Sequence, residues 1–424
     1  MKVRTGPPSA RRARSGATPP SAEAAAPVLV VDRAPRVIRQ FPLTTFLVMP
    51  YAVVILPQAL VLENPDTGFI VLTFLLAVVP AFVVELFLRR RSPSALPLGR
   101  PAYGRALFHL AVVVSAVGAV SGVVRALAGV GSVYAQVGRV SGGSTLTTVL
   151  SVFAQWSTIG VALVATAYLV GACSGRAAAL VIVALLAAEA VSAYLNAITA
   201  PFFSFIISTA VLLLYLGVIG VRHCLVVAAG VVVAWPTVFA LRNEARLAGG
   251  VDVSARVGAF DRLRYDLQIT RGADLGHGID IVTPDLLGVI RYGLLPRFVD
   301  ADRPPLSTGS AINVYLGGTS ESSFNFLPVA TAYVLDGPWV VVGVYAAWAV
   351  GLHLLLRNGW RATPLRVSVL GLALAGPLGW FGTYPDTSVG FVQGLVSLVP
   401  LAIALHVARS QAARPPSSPP RGTG

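Results

Sequence analysis

The sequence predicts an all-α fold. It reads as a polytopic integral membrane protein with about ten transmembrane helices and one large extracytoplasmic loop between helices seven and eight. Three observations carry this. Only 12% of the 424 residues are charged, against roughly 25% in a soluble domain. Hydrophobic residues make up 55% of the chain and the mean hydropathy is +0.75. The apolar residues come in runs of about 20, long enough to cross a hydrocarbon core of about 30 Å at about 1.5 Å per helical residue. The net charge of +14 fits the same picture. Basic residues cluster between apolar runs, not on one soluble surface, which argues against nucleic acid as a partner.

The runs fall at 43–62, 69–88, 106–124, 147–171, 177–198, 201–221, 225–241, 327–356, 367–384 and 388–408. The eighth is too long for one crossing and is interrupted by Asp336-Gly337-Pro338. Proline removes a backbone donor and glycine loosens a helix, so a break is expected there. The reading is a short interfacial or re-entrant piece followed by a span from Trp339 to Leu356. Residues 1–42 and 409–424, rich in Ala, Pro, Ser and Arg, read as disordered cytoplasmic tails. Residues 43–241 hold helices one to seven, 242–325 the extracytoplasmic loop with short amphipathic helices, and 326–408 the re-entrant segment and helices eight to ten. Arg11-Arg12 is followed by no close apolar stretch, so it is not read as an export signal.

Orientation follows from the basic residues. With a cytoplasmic N-terminus, 21 of the 32 Lys and Arg lie inside, and only Arg125 and Arg139 fall in short outer loops. The rest lie in the long loop, which is exempt because long loops translocate largely regardless of charge. Both termini are then cytoplasmic and the protein is multi-pass in the cell (cytoplasmic) membrane. Cys173 and Cys224 fall at cytoplasmic span ends, where a disulfide, metal site or redox centre is not expected. No repeat relates the two halves, which weakens a transporter built on inverted repeats.

The loop carries the chemistry. Residues 242–325 contain nine arginines, ten acidic residues, one histidine and no lysine, so the segment is near neutral and is not a polybasic patch. Apolar residues at 286, 287, 290, 294 and 295 suit a short amphipathic helix against the membrane. Pro296 would end it, with Arg297 and Arg303 just beyond. Tyr265, Tyr292, Phe298 and Tyr315 would anchor the loop at the interface. Guanidinium groups stay charged and pair with phosphate oxygens, so arginines at an outer membrane surface suit a diphosphate.

Each residue also has a plainer reading. A loop arginine can be the ion-pair partner of a nearby Asp. His277, in Gly276-His277-Gly278, can be a surface histidine on a turn. Asp300-Ala301-Asp302 has the Asp-x-Asp pattern of nucleotide-sugar transferases, but on the wrong face, and no metal is assigned to it. Glu189 sits mid-span, where a carboxyl needs a cavity or a partner. Glu85 is expected to snorkel toward Arg89, and Glu63-Asn64-Pro65-Asp66 to form an outer turn.

The order Arg262-x-Arg264, Thr283-Pro284, Leu295-Pro296-Arg297-Phe298, Asp302-Arg303-Pro304 resembles the outer loop of Wzy-type O-antigen and exopolysaccharide polymerases. The Gly- and aromatic-rich re-entry of that family would correspond to Tyr315 through Phe326. Two departures stand out. Ser320-Glu321-Ser322-Ser323 replaces the family's Gly-Glu-x-Tyr, and Arg297 to Gly309 misses a common Arg-to-Gly spacing by one. The resemblance implies a metal-independent membrane glycosyltransferase of the GT-C type. It would transfer a glycan from a polyprenyl-diphosphate carrier to a sugar hydroxyl of a second lipid-linked unit. Arg297, Arg303, Arg291, Arg264 and Arg262 would bind the diphosphate. His277, Glu321 and Asp266 are the candidate bases, and Glu189 and Tyr315 the candidates to line a cavity. No cofactor is implied. Partners would be lipid-linked oligosaccharide, membrane lipid, and a flippase and chain-length regulator of the same pathway. The alternatives are an O-antigen-ligase-like enzyme, a transferase using a polyprenyl-phosphate sugar with Glu63 or Asp66 as base, and a non-enzymatic flippase or transporter.

Overall fold

The computed structural model describes residues 35–89, 104–129, 132, 145–251, 259–260, 264, 272–295, 299–300, 308–318, 327–356, 363–380 and 382–412. These residues are helical or irregular, with no strand among them. Eight helices are long and apolar enough to cross a membrane. They are α1 (Pro42–Val61), α2 (Thr67–Leu88), α3 (Gly104–Leu127), the kinked pair α4 (Thr145–Ala154) and α5 (Trp156–Leu169), α6 (Gly175–Asn196), α8 (Val221–Ala248), α12 (Pro338–Leu356) and α14 (Tyr384–Ala412). Two apolar helices are shorter, α7 (Ala200–Tyr215, 16 residues) and α13 (Pro364–Ala375, 12 residues). The polar segment contributes α9 (Leu286–Leu294) and α10 (Thr308–Tyr315), and α11 (Pro328–Asp336) follows it in the segment expected to be re-entrant. Helices suit this composition because each satisfies its own backbone polar groups where no water can.

Local chemistry sets the ends and irregularities. Ser174 caps α6 by accepting from the Ala177 amide, and Thr363 caps α13 by accepting from Arg366. In α1, Pro50 and Pro57 flank a π-helical turn at Tyr51–Ile55, where the Leu56 amide reaches back to the Tyr51 carbonyl. The helix stops at Asp336 and restarts at Pro338, with Gly337 at φ 86° between them. That torsion favours glycine, and the proline ring forbids helical backbone before it.

Small residues bring the central helices together. A Cβ on Gly118 of α3 would strike the backbone of Ser157 on α5, and one on Gly160 of α5 would strike Ser115 of α3. The two glycines are reciprocal, so the backbones touch. Around this pair, α3 also packs on α6, α5 on α13, α2 on α12, and α7 on α13. The main apolar core joins α1, α2, α5, α7, α12 and α13 through residues such as Leu43, Ala77, Val161, Leu213, Tyr345 and Leu370.

Three expectations change at this level. Glu85 does not snorkel toward Arg89. It is fully buried and its carboxylate accepts from the amides of Leu43 at 2.6 Å and Thr44 at 3.2 Å. The first amides of a helix have no partner of their own, so a buried carboxylate there caps α1 and offsets its own desolvation. The Tyr215 hydroxyl donates to the Pro42 carbonyl at the same point. Arg125 does not sit in a loop, since α3 continues through it. Helix α8 runs on to Ala248, past the expected end of the seventh run. Its added turns hold Arg242 over the Phe239 ring at 4.3 Å, and Arg246, whose Nε donates to the Ala197 carbonyl at 3.1 Å.

Candidate functional site

The polar segment is fastened to one end of the apolar bundle at several points. Asp285 caps α9 by accepting from the Gly288 amide at 2.6 Å. The helix then lies on α14: Gly293 meets Val392 so closely that a Cβ would overlap it, and Gln393 Nε2 donates to the Tyr292 carbonyl at 3.4 Å. Val289 is buried, while Leu287, Ile290, Leu294 and Leu295 stay exposed. Most of the apolar residues that suggested this helix therefore face outward, and Val289 and Gly293 lie on the inner side.

A second fastening was not legible beforehand. Asp386, in the first turn of α14, accepts from Thr308 twice: Oδ2 from the amide at 3.2 Å and Oδ1 from the hydroxyl at 2.7 Å. One carboxylate of a spanning helix thus holds the start of α10. The available signal was an acid opening an apolar run in Tyr384-Pro385-Asp386. The same logic that singled out Glu189 applies to it.

A third fastening carries His277. The Gly278 amide donates to the Val334 carbonyl at 2.8 Å. Gly272 packs against Phe69 of α2 and Val334 of α11. His277 is exposed between Gly276 and Gly278, both at positive φ, and its ring stands edge-on to Tyr333 at 6.0 Å. Tyr333 in turn meets Phe69 at 5.2 Å. The turn is as expected, but it is held over the α11–α12 break, with the imidazole next to Gly337. Asp336 lies at that break, and its carboxyl is pushed up from the ordinary range by partial desolvation and then by the nearby charge of Asp285. Asp336 itself is exposed at the surface.

Arg291 points from α9 to Asp300, with Nη2 2.5 Å from Oδ1. The guanidinium is 58% exposed and the carboxylate 6%. The hydrogen bond and charge of Asp300 raise the arginine's proton affinity further. This is the ion pair that the plainer reading anticipated. It leaves most of the guanidinium open, and Asp300 Oδ2 is buried without a partner. Arg264 is half-buried and Tyr315 is exposed at the end of α10. Arg262, Asp266, Arg297, Arg303 and Glu321 lie outside the described residues. Asp302 does too, so the Asp-x-Asp pattern is seen only at Asp300, and no group of three metal-ligating side chains occurs among the described residues.

Glu189 occupies the middle of α6 and is apart from the loop cluster. Its charge partner is Arg125 of α3, and the Ser157 hydroxyl of α5 faces it without a well-formed hydrogen bond. Gly122 of α3 meets Ser192 of α6 one turn nearer the loop end. Glu63 and Asp66 form the tight turn expected of them, with Glu63 at φ 48° and the Asn64 side chain accepting from the Asp66 amide at 3.0 Å. Comparison with protein-family models, with curated proteins and with solved structures finds no match to this chain.

Proposed function

We propose that this chain is a membrane glycosyltransferase that polymerises lipid-linked oligosaccharide repeat units. In this reading about ten spans put both termini in the cytoplasm and the 242–325 segment on the outer face of the cytoplasmic membrane. The observation that carries it is the fastening of the polar segment onto the apolar bundle, by α9 on α14 and by Asp386 on Thr308. A lipid-linked diphosphate keeps its chain in the bilayer and its charge at the surface. Its reaction therefore needs cations and a base held rigidly at that boundary.

The chemistry needs no metal. The anomeric carbon of the donor glycan exchanges its bond to the diphosphate oxygen for one to the acceptor hydroxyl. Negative charge grows on the departing polyprenyl diphosphate, and preorganised guanidinium groups stabilise it. Arg291, with Arg297 and Arg303 after it in sequence, would serve there, the diphosphate competing with Asp300 for Arg291. The acceptor proton passes to a nearby base. His277 and Asp336 meet at the same helix break, and the raised affinity of the Asp336 carboxyl for a proton suits that role. Polymerase, ligase and polyprenyl-phosphate-sugar transferase share this chemistry and differ in donor and acceptor.

A second reading, a lipid-linked glycan flippase, draws on Arg125 and Glu189 within the bundle. Gel profiling of surface glycan in a deletion strain separates the two. Loss of the ladder above one repeat unit is the expected result, restored by the wild-type chain but not by Arg297→Ala or Arg303→Ala at equal protein level. Cytoplasmic accumulation of single lipid-linked units would instead establish the flippase. A normal ladder in both arginine variants would remove the diphosphate site.

A further inference from the structure

A line of polar groups runs through the interface of α3, α5 and α6. Ser115, Gly118, Gly122 and Arg125 stand at i, i+3, i+7 and i+10 of α3, on one helix face. Glu189, Ser192 and Asn196 stand at i, i+3 and i+7 of α6, again on one face. The two faces meet where a Cβ on Gly122 would touch the Ser192 hydroxyl at 3.6 Å. Helix α5 closes the third side, with Ser157 against Gly118 and Gly160 against Ser115. Glu189 and Arg125 are charge partners across this interface, and the Ser157 hydroxyl faces the carboxylate.

The protein's own groups do not satisfy this line. Ser115, Ser157 and Asn196 are 4%, 2% and 8% exposed. Ser115 Oγ, Ser157 Oγ, Asn196 Oδ1 and Arg125 Nε are each buried with no hydrogen-bond partner among the described residues. A buried polar atom has given up its hydration and needs another partner in return. Here four such atoms, on three helices, surround an ion pair. Water suits them where an apolar group does not, because it donates and accepts and makes about two to four hydrogen bonds in a small space.

The line leads to the end of the bundle that carries the polar segment. Asn196 is the last residue of α6, and the next carbonyl, of Ala197, accepts from Arg246 in the last turn of α8. Glu189 lies about 10 Å from Asn196 along the helix, a distance that a few hydrogen-bonded waters cover. Glu189 and Arg125 are both half-buried, so neither is walled in by protein. Of the helices packed on α6, α3 brings Arg125 to this region and α8 brings Arg246. Helices α5 and α7 carry no Asp, Glu, Lys, Arg or His. Their tyrosines lie at the opposite end, Tyr168 beside Gly175 and Tyr215 on Pro42.

We propose that waters buried between α3, α5 and α6 connect Glu189 to solvent at that end and make it a proton-binding site within the membrane. A proton leaves hydronium for a carboxylate oxygen of Glu189. The ion pair then becomes a neutral carboxyl beside a guanidinium, and the carbonyls ending α3 still favour the cation in its last turn. The site does not depend on the polymerase reading, since none of its residues is assigned there to the diphosphate or to the base. The full-length protein in lipid bilayers tests it in two ways. In water-edited solid-state NMR, polarisation should pass from water to the Asn196 and Ser157 side chains as fast as to surface residues. It should reach Ala162 and Ala165 of α5, in the apolar core, far more slowly. In infrared difference spectra, acidifying the medium should raise a protonated-carboxyl band that shifts in D2O and is missing in Glu189→Gln. Asn196→Leu and Ser157→Val remove partners for water and keep the ion pair; each should slow the rise of that band about tenfold, which corresponds to about 1.4 kcal/mol in the barrier. Transfer to Asn196 and Ser157 no faster than to Ala162 overturns the proposal. So does an acid-induced band that Glu189→Gln leaves unchanged. The NMR measurement needs no variant, so it decides the water site even where a substitution prevents folding.

Discussion

Asp386→Ala should release helix α10 from the bundle without unfolding the bundle. The carboxylate accepts two hydrogen bonds from Thr308, one from the amide and one from the hydroxyl. Hydrogen bonds to a charged group contribute about 1.5–3 kcal/mol each, so losing both at the low end costs about 3 kcal/mol. That corresponds to roughly a hundredfold rise in local opening. Thr308→Ala removes the hydroxyl bond and keeps the amide bond, so about 1.5 kcal/mol and roughly tenfold are expected. Amide hydrogen exchange of the purified protein reads this directly, because exchange from a locally opening helix follows its opening free energy. Peptides covering 308–315 should exchange about a hundredfold faster in Asp386→Ala and about tenfold faster in Thr308→Ala. Peptides from α3 and α5 should not change. If exchange across 308–315 moves less than threefold in Asp386→Ala, the carboxylate is not what holds α10, and the fastening that supports the site is wrong.

Other perturbations test separate parts of the structure. Glu85→Ala leaves the Leu43 and Thr44 amides buried without acceptors, at about 1–3 kcal/mol each; thermal unfolding should fall markedly, and Glu85→Gln, which retains one acceptor oxygen, should lose less. Gly118→Leu drives a side chain into the backbone of Ser157, so the protein should fail to accumulate in the membrane or unfold at a much lower temperature. If Asp336 is the base, its raised pKa means that it takes up a proton at a higher pH than an ordinary aspartate as pH falls. Transfer should then decline on an acid limb above the ordinary aspartate range, and the pH–rate profile of Asp336→Asn should lose that limb along with most activity. A limb that persists in Asp336→Asn and vanishes in His277→Ala would assign the base to the histidine.

Much of the architecture was legible because its cause is local. Runs of Ala, Leu and Val long enough to span hydrocarbon become helices wherever they pack, and Asp336-Gly337-Pro338 breaks a helix by its own torsional limits. Helix α9 was readable from the apolar residues between 286 and 295. The partners of charged groups were not readable in this way. Glu85 lies four residues from Arg89, and sequence spacing favoured that pair, yet its carboxylate serves amides 41 and 42 residues away. Asp386 and Thr308 are 78 residues apart, and neither stands in a motif. Arg242 and Arg246 read as loop residues because charge usually ends a span, but Phe239 and the Ala197 carbonyl let α8 continue through them.

The sequence by itself determined that this is a helical membrane protein, where its apolar runs begin and end, and which stretch is polar enough to meet water. Those properties depend on composition and on periodicities of a few residues. Tertiary structure alone decided which carboxylates act as caps, that Arg291 leans on Asp300, and that His277 sits over the α11–α12 break. It also opened an apolar groove between α1, α7 and α8. Each of these joins residues distant in sequence, where geometry set by the packing of α3 on α5, α9 on α14 and α8 on α7 decides which polar groups meet.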